Sequence, residues 1–312
     1  MNVTTISLET IWGKAIINIF FQTNIIQQMK NSLFILLILI LGCKQLPNYI
    51  LSKENPEINK TRKATLLSAF FGLDNAMPQK SMGIWSKAPG KDGMPLVFSH
   101  EIDPATLNPN VFQITTQKGE KLNVAFATFK PAIEEFELRT ILLIGEFGNA
   151  PANEPKIVEI IGDLKTRDGQ NLKGQKIEVT LLEYGPFISY AEYFLLDKDY
   201  PFKEKGAGCD CPKTETETVI RTVWAGGVRA TNGKELGENE LSSFTITLIQ
   251  NSDTIKVHPY HIADIDDNDN NIDLCLKEKG IPIFIEANEN IAIDPKGDKN
   301  PYTKMDVIGR WK

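Results

Sequence analysis

The hydrophobic pattern along the chain changes character twice. Near the N-terminus it is a solid block: Leu33 to Leu41 are nine apolar residues without a break, led by Met29-Lys30 and closed by Gly42-Cys43. From Lys44 to Asn59 the pattern vanishes into a polar stretch carrying Pro47 and Pro56, which reads as a tether. Leu66, Leu67, Phe70 and Phe71 then share one side of a helical wheel, with Asn59 as cap and Gly72 as stop. That spacing predicts a short helix over Lys60 to Phe71, packed on the domain C-terminal to it.

After Gly72 the period falls to two. Met94 to Phe98, Val111 to Thr115, Leu122 to Phe126, Leu138 to Ile144, Ile157 to Ile161 and Ile177 to Leu182 are short, rich in Val, Ile, Phe and Thr, and divided by Gly, Pro, Asn and Asp. These predict strands. A second set, Val219 to Val228, Phe244 to Ile249, Ile255 to Val257, Ile272 to Leu276 and Ile281 to Ile285, predicts more, with a tight hairpin at Asn251-Ser252-Asp253. No strand-helix-strand rhythm appears, so the expected class is all-β, with two β-sandwich-like domains.

The nine-residue block is too short to span a bilayer, which takes ~20 residues. Its order of charge, apolar run and small residue is that of an export leader. A buried core helix is the alternative; against it, the run has no polar face at helical spacing and a hydrophilic, proline-containing stretch follows. Residues 1–28 fit poorly before a leader that has its own Met-Lys start; a start-site artefact or an amphipathic membrane helix would each account for them. The expected organisation is a leader over 1–42, with the signal peptide at 29–42, a tether and short helix over 43–80, an Ig-like sandwich over 81–200 and a second β-domain over 201–312.

The residues Ile40-Leu41-Gly42-Cys43 resemble the lipobox of bacterial lipoproteins. That resemblance implies acylation of the Cys43 thiol and a membrane held through an N-terminal lipid. Lys44 and Gln45, in place of Asp after the cysteine, imply an outer-membrane or surface address. A further resemblance lies in Val97-Phe98-Ser99-His100-Glu101-Ile102-Asp103-Pro104-Ala105-Thr106-Leu107 with Val111-Phe112-Gln113-Ile114, and in Ile160 to Leu172 with Asp163, Arg167-Asp168-Gly169 and Leu172. These segments resemble the bacterial Ig-like domains of S-layer and adhesin-type surface proteins, over about Pro95 to Leu182. The resemblance implies a fold and no activity. Trp224 to Asp298 resembles only uncharacterised exported bacterial proteins.

Composition adds limits. An apolar content of 42% and a charged content of 24% are ordinary for a globular chain. The net charge of -6 and the lack of a basic cluster exclude nucleic acid as a partner. With Cys43 given to the lipid, Cys209, Cys211 and Cys275 remain in an oxidising compartment, where a structural disulfide is expected. One intervening residue strains a Cys209–Cys211 bridge, so Cys275 pairs with one of the two. Pro212 stiffens the Cys211 side and favours that cysteine, while Cys209 stays open as an alternative.

Candidate chemistry is sparse. Asp264, Asp266, Asp267, Asp269 and Asp273 put five carboxylates within ten residues, with Asn268 among them. Ca²⁺ collects six to eight oxygens from such loops, so Asp264, Asp266, Asn268, Asp269 and Asp273 form a candidate calcium set. The spacing is not that of an EF-hand, since Asp269 stands where glycine is required and Cys275 where glutamate is required. A solvated Asx-rich turn explains the same residues. His258 and His261 flank Pro259-Tyr260 and do not match zinc spacings, and Cys209 and Cys211 lack the paired motif that would join them to His261 in a zinc site.

Tyr184, Phe187, Tyr190, Tyr193, Phe194, Tyr200 and Phe202 make an aromatic-rich stretch. Tyr190, Tyr193 and Phe194 in particular would form either a seam between the two domains or a ligand platform. No serine-hydrolase elbow is present, and the Gly227 to Lys234 run misses the phosphate loop because Glu235 replaces Ser or Thr. The expected function is a lipid-anchored cell-envelope module that binds or builds rather than catalyses, with an envelope protein or polysaccharide as partner. The competing expectation is an extracytoplasmic hydrolase acting on envelope glycans or other polymers. That reading requires an open cleft between the domains with convergent carboxylates.

Overall fold

The strands of the first half meet in one core, β3 with alternating buried and half-buried residues and β2 and β5 buried over nearly their whole length. The computed structural model describes residues 62–134, 136–196, 209–263 and 268–310. Seven strands come first: β1 (Leu66–Ala69), β2 (Asp92–Phe98), β3 (Phe112–Thr116), β4 (Lys121–Thr128), β5 (Thr140–Gly145), β6 (Pro155–Ile160) and β7 (Lys176–Glu178). They hydrogen-bond in the order β1-β2-β5-β4-β3-β6-β7.

One strand serves both layers. Lys121–Asn123 of β4 pair with β3, and from Val124 onward the strand pairs with β5, with a bulge between Val124 and Phe126. A bulge bends the strand and sharpens its twist, so the sheet folds over itself into a sandwich. On the far side the backbone of Thr180 closes the gap, its N–H donating to Ala69 O (2.8 Å) and its carbonyl accepting from Phe71 N (2.9 Å). Phe98, Phe112, Ile114, Ile141, Leu143, Val158 and Ile160 fill the interior.

The two segments that carry the Ig-like resemblance meet in space. Asp103 Oδ1 accepts from Ala105 N at 3.0 Å and caps a 3-10 turn over Pro104–Thr106. The Asp103 backbone donates to Lys165 O at 2.9 Å, while Thr106 Oγ1 accepts from Lys165 N at 3.1 Å. The corner and the later turn are therefore one knot, which explains why both need short polar residues at fixed places.

The second half adds β8 (Ile188–Phe194), β9 (Thr218–Trp224), β10 (Arg229–Ala230), β11 (Phe244–Gln250), β12 (Asp253–Val257), β13 (His261–Ala263), β14 (Asn271–Leu276), β15 (Ile281–Ala287), β16 (Ala292–Ile293), β17 (Thr303–Asp306) and β18 (Ile308–Gly309). A five-stranded sheet, β13-β14-β9-β8-β18, packs on a four-stranded one, β12-β11-β15-β17, and β10 pairs with β16. Their shared core includes Ile220, Trp224, Phe244, Ile246, Leu274 and Ile285. Asn251 and Ser252, with φ of 50° and 74°, make the two-residue hairpin loop between β11 and β12. Two positive φ values are what a primed turn requires. The chain is all-β, and among the described residues no helix is long and apolar enough to cross a membrane.

One expected element is corrected. Within the predicted helix over Lys60 to Phe71, residues 62–71 are instead an extended segment containing β1, paired with β2 through Leu66↔Phe98 and Ala69↔Leu96. Leu66 and Ala69 enter the first core, whereas Leu67 packs with Tyr190 and Val223 of the second half. Ser68 Oγ accepts from Ser189 Oγ at 2.9 Å. A strand covered on both faces has no polar side, and its apolar run imitates a helical stripe. The leader, the tether and Cys43 lie outside the described residues, as do Asp264, Asp266, Asp267, Tyr200 and Phe202.

Candidate functional site

β8, β9 and β14 are apolar on one face because that face covers the second core. On the opposite face the two-residue period lines up three charges. Register places Glu192 beside Arg221 and Arg221 beside Asp273, so the three form one row across adjacent strands. This face is turned toward the first sandwich, which supplies Glu137 and Arg139 from the approach to β5. Arg310, just past β18, closes the other end.

Every member of this group has a partner. Arg221 binds Asp273 through two bonds, Nε to Oδ1 at 2.7 Å and Nη2 to Oδ2 at 2.8 Å, and its Nη1 lies 3.3 Å from Glu137 Oε1. Glu192 receives Arg139 Nη2 at 3.1 Å on one oxygen and Arg310 Nε at 2.9 Å on the other. Tyr190 also donates its hydroxyl to Glu192 Oε2, at 3.1 Å. Arg139 lies 4.2 Å above the Tyr190 ring, and Arg310 lies 3.7 Å above that of Phe194. None of the three arginines and three acids is more than 4% exposed.

The acids differ in charge preference. For Glu192 burial favours the proton, but Arg139, Arg310 and Arg221 outweigh it and hold the carboxyl below its usual range. For Glu137 burial prevails and pushes the carboxyl well up. Arg221 is already committed bidentately to Asp273, and Asp269, Glu134 and Asp273 repel a charge on Glu137. Tyr190 is likewise pushed up by burial.

The cysteines sit at the edge of the same seam. Cys211 and Cys275 form a disulfide, with Cα atoms 5.7 Å apart. Cys209 is a buried free thiol, and its surroundings push its pKa up. With Cys211 oxidised, the zinc set of Cys209, Cys211 and His261 does not exist; His258 Nδ1 instead donates to Phe244 O at 2.6 Å.

Of the candidate calcium set, three residues are described, and they do not converge. Asp273 faces Arg221. Asp269 accepts from Asn271 N (2.7 Å) and Asn271 Nδ2 (2.8 Å). Asn268 Oδ1 takes Arg229 Nη2 and, at 3.4 Å, Lys80 Nζ. Among the described residues no group of three or more His, Cys, Asp or Glu is arranged to hold a metal ion.

The expected aromatic cluster divides. Tyr190 and Phe194 lie buried at the seam, and Tyr193 turns to the second core. The seam arginines escape a reading of the sequence alone. Their signal is a lone charge within an apolar β run, as in Val219-Ile220-Arg221-Thr222-Val223 and Ile272-Asp273-Leu274.

A cavity of about 420 Å³ opens where the two halves meet beside β1, β2 and β5. Its wall is aliphatic, with Leu73, Met77, Ile84 and Leu142 prominent, and prolines 78, 95, 131 and 295 line it too. Lys80, Lys130 and the polar run Asn268-Asp269-Asn270 complete it. Asn270 is held in place by donating Nδ2 to Trp224 O (2.5 Å) and to Thr140 Oγ1 (3.1 Å).

No protein-family model matches the chain, and no curated protein matches it. Among solved structures, the N-terminal part of the bacterial S-layer protein SbsC aligns with a TM-score of 0.27 and 12% identity, over 79% of this chain and 44% of that one. Domains 1-6 of surface layer protein SbsC align with a TM-score of 0.27 and 11% identity, over 80% and 41%. The S-layer protein rSbsC(31-844) gives 0.27 and 13%, over 76% and 33%. The chain thus spans less than half the length of each of these solved structures.

Proposed function

We propose that the chain is a lipid-anchored cell-envelope protein whose folded part is a non-catalytic binding or structural module. The observation that carries the module reading is the seam. Glu137, Glu192 and Asp273 converge there as a hydrolase would require, yet each is engaged by an arginine and shut away from water. A general acid or base must come within hydrogen-bond reach of its substrate, and these carboxylates are out of reach. The cell-surface address rests on the apolar run ending at Gly42-Cys43, and the Cys211–Cys275 bridge agrees with an oxidising compartment. The membrane is then the first partner, through the acylated Cys43, and an envelope protein or polysaccharide the second.

The test is Cys43→Ala in cells fed radiolabelled palmitate. The parent is expected to take up label and to partition into the detergent phase, and the variant to do neither. Equal partitioning of the two proteins would refute the anchor. Hydrolysis of envelope glycan by the purified parent would refute the module.

A further inference from the structure

The cavity beside β1, β2 and β5 has the size of a small-molecule site, which usually runs ~300–1,000 Å³. Its lining decides what would fit. Stacking on a ligand takes an open aromatic face, and the one aromatic among the described residues of the wall, Phe70, is fully buried. Its ring lies so close to Gly226 that a Cβ there would approach it to 2.7 Å. What remains is flexible aliphatic surface: Leu73, Met77, Ile84 and Leu142, suited to a methylene chain.

The ionisable residues of the wall are two lysines and one aspartate. Lys80 and Lys130 both contribute to the wall and both are exposed. Neither is in an ion pair among the described residues, and Lys80 has only the 3.4 Å contact to Asn268 Oδ1. The nearby carboxylate of Asp269 is turned onto Asn271. The two segments that carry the lysines also carry Met82 and Ile133, 57% and 54% exposed, two of the five large apolar side chains open to solvent among the described residues. Greasy groups thus stand next to the cationic ones.

We propose that this cavity takes the chain of a single-chain amphiphile with an anionic head, with Lys80 and Lys130 holding the head. The proposal goes beyond the module reading, which needs no small ligand, and it concerns a molecule taken from outside rather than the acyl group on Cys43. A free fatty acid and a lysophospholipid share this chemistry.

The test uses the full chain in phosphatidylcholine vesicles with a trace of diazirine-bearing, alkyne-tagged palmitic acid. After irradiation, adducts are mapped by mass spectrometry. Adducts are expected on Leu73, Met77 and Ile84, displaced by palmitate or lysophosphatidylglycerol but not by hexadecanol, with the stronger competitor naming the source. Lys80→Glu combined with Lys130→Glu is expected to cut labelling about tenfold, as a charge-assisted contact turns into a repulsion. Gly227→Leu is expected to do the same by filling space, since among the described residues, chain neighbours aside, only Pro295 Cγ, at 3.8 Å, comes within 4 Å of an added Cβ. Lys80 and Lys130 are exposed, Gly227 is half-buried, and none of the three belongs to either core. Cys43→Ala is expected to label like the parent, which separates failure of the anchor from failure of the cavity. Adducts confined to other residues, labelling unchanged in both pocket variants, or displacement by hexadecanol as effective as by palmitate would overturn the proposal.

Discussion

Arg221 and Asp273 face each other across neighbouring strands and are joined by two parallel bonds of 2.7 and 2.8 Å. The pair is desolvated, so its attraction is offset by the loss of hydration, and removing one partner leaves a bare buried charge. Arg221→Met is therefore expected to cost ~3–5 kcal/mol in urea unfolding. Arg221→Met with Asp273→Leu is expected to recover most of that loss. A double variant no better than the single one would show that the row stabilises by more than pairing.

Glu137 gives stability a pH dependence. Its folded carboxyl holds a proton well above the range where the unfolded chain releases one. Between those limits the folded state binds more protons, so stability falls as pH rises, by at most ~1.4 kcal/mol per unit. Glu137→Gln mimics the protonated acid, and is expected to flatten this slope and to match or exceed the parent at pH 8. Parallel slopes for the two proteins would be the contrary result.

The Cys211–Cys275 bridge spans 64 residues of sequence. Chain-entropy arguments assign a loop of that length about 4 kcal/mol. Reduction, or Cys275→Ser, is expected to lower stability by an amount of that order. Cys209, buried and with its pKa pushed up, is expected to resist iodoacetamide until the protein unfolds. Fast alkylation of the native protein would contradict this.

For the acidic loop, a cation would be held by Asp264 and Asp266 rather than by Asp273, which Arg221 already occupies. A rise in Tm at millimolar calcium is expected to vanish in Asp264→Asn with Asp266→Asn. A rise that survives both changes would put the ion elsewhere.

The sequence is legible where a strand has one wet face. β3 alternates plainly, and Asn251-Ser252 announces its own turn. β1 reads as a helix because both of its faces are covered, so no polar period marks it as a strand. Tyr190 and Phe194 are visible as aromatics, but their place over Arg139 and Arg310 depends on partners far away in the chain. The same holds for Glu192, Arg221 and Asp273, whose alignment is a product of strand register and not of spacing. The cavity is harder still, since Leu73, Thr140, Gly227 and Asn270 share a wall only after both halves have folded.

The row of charges also limits what can be cut or shuffled. Each half looks like a unit that could be lifted out and fused elsewhere. Yet the second half alone would leave Glu192 without Arg139, and the first half alone would leave Glu137 without Arg221. A break at the connection between Leu182 and Ile188 therefore yields fragments with mismatched electrostatics on a surface meant to be dry. The two cores are separate, but the charges between them are shared, so neither half carries a complete set of partners.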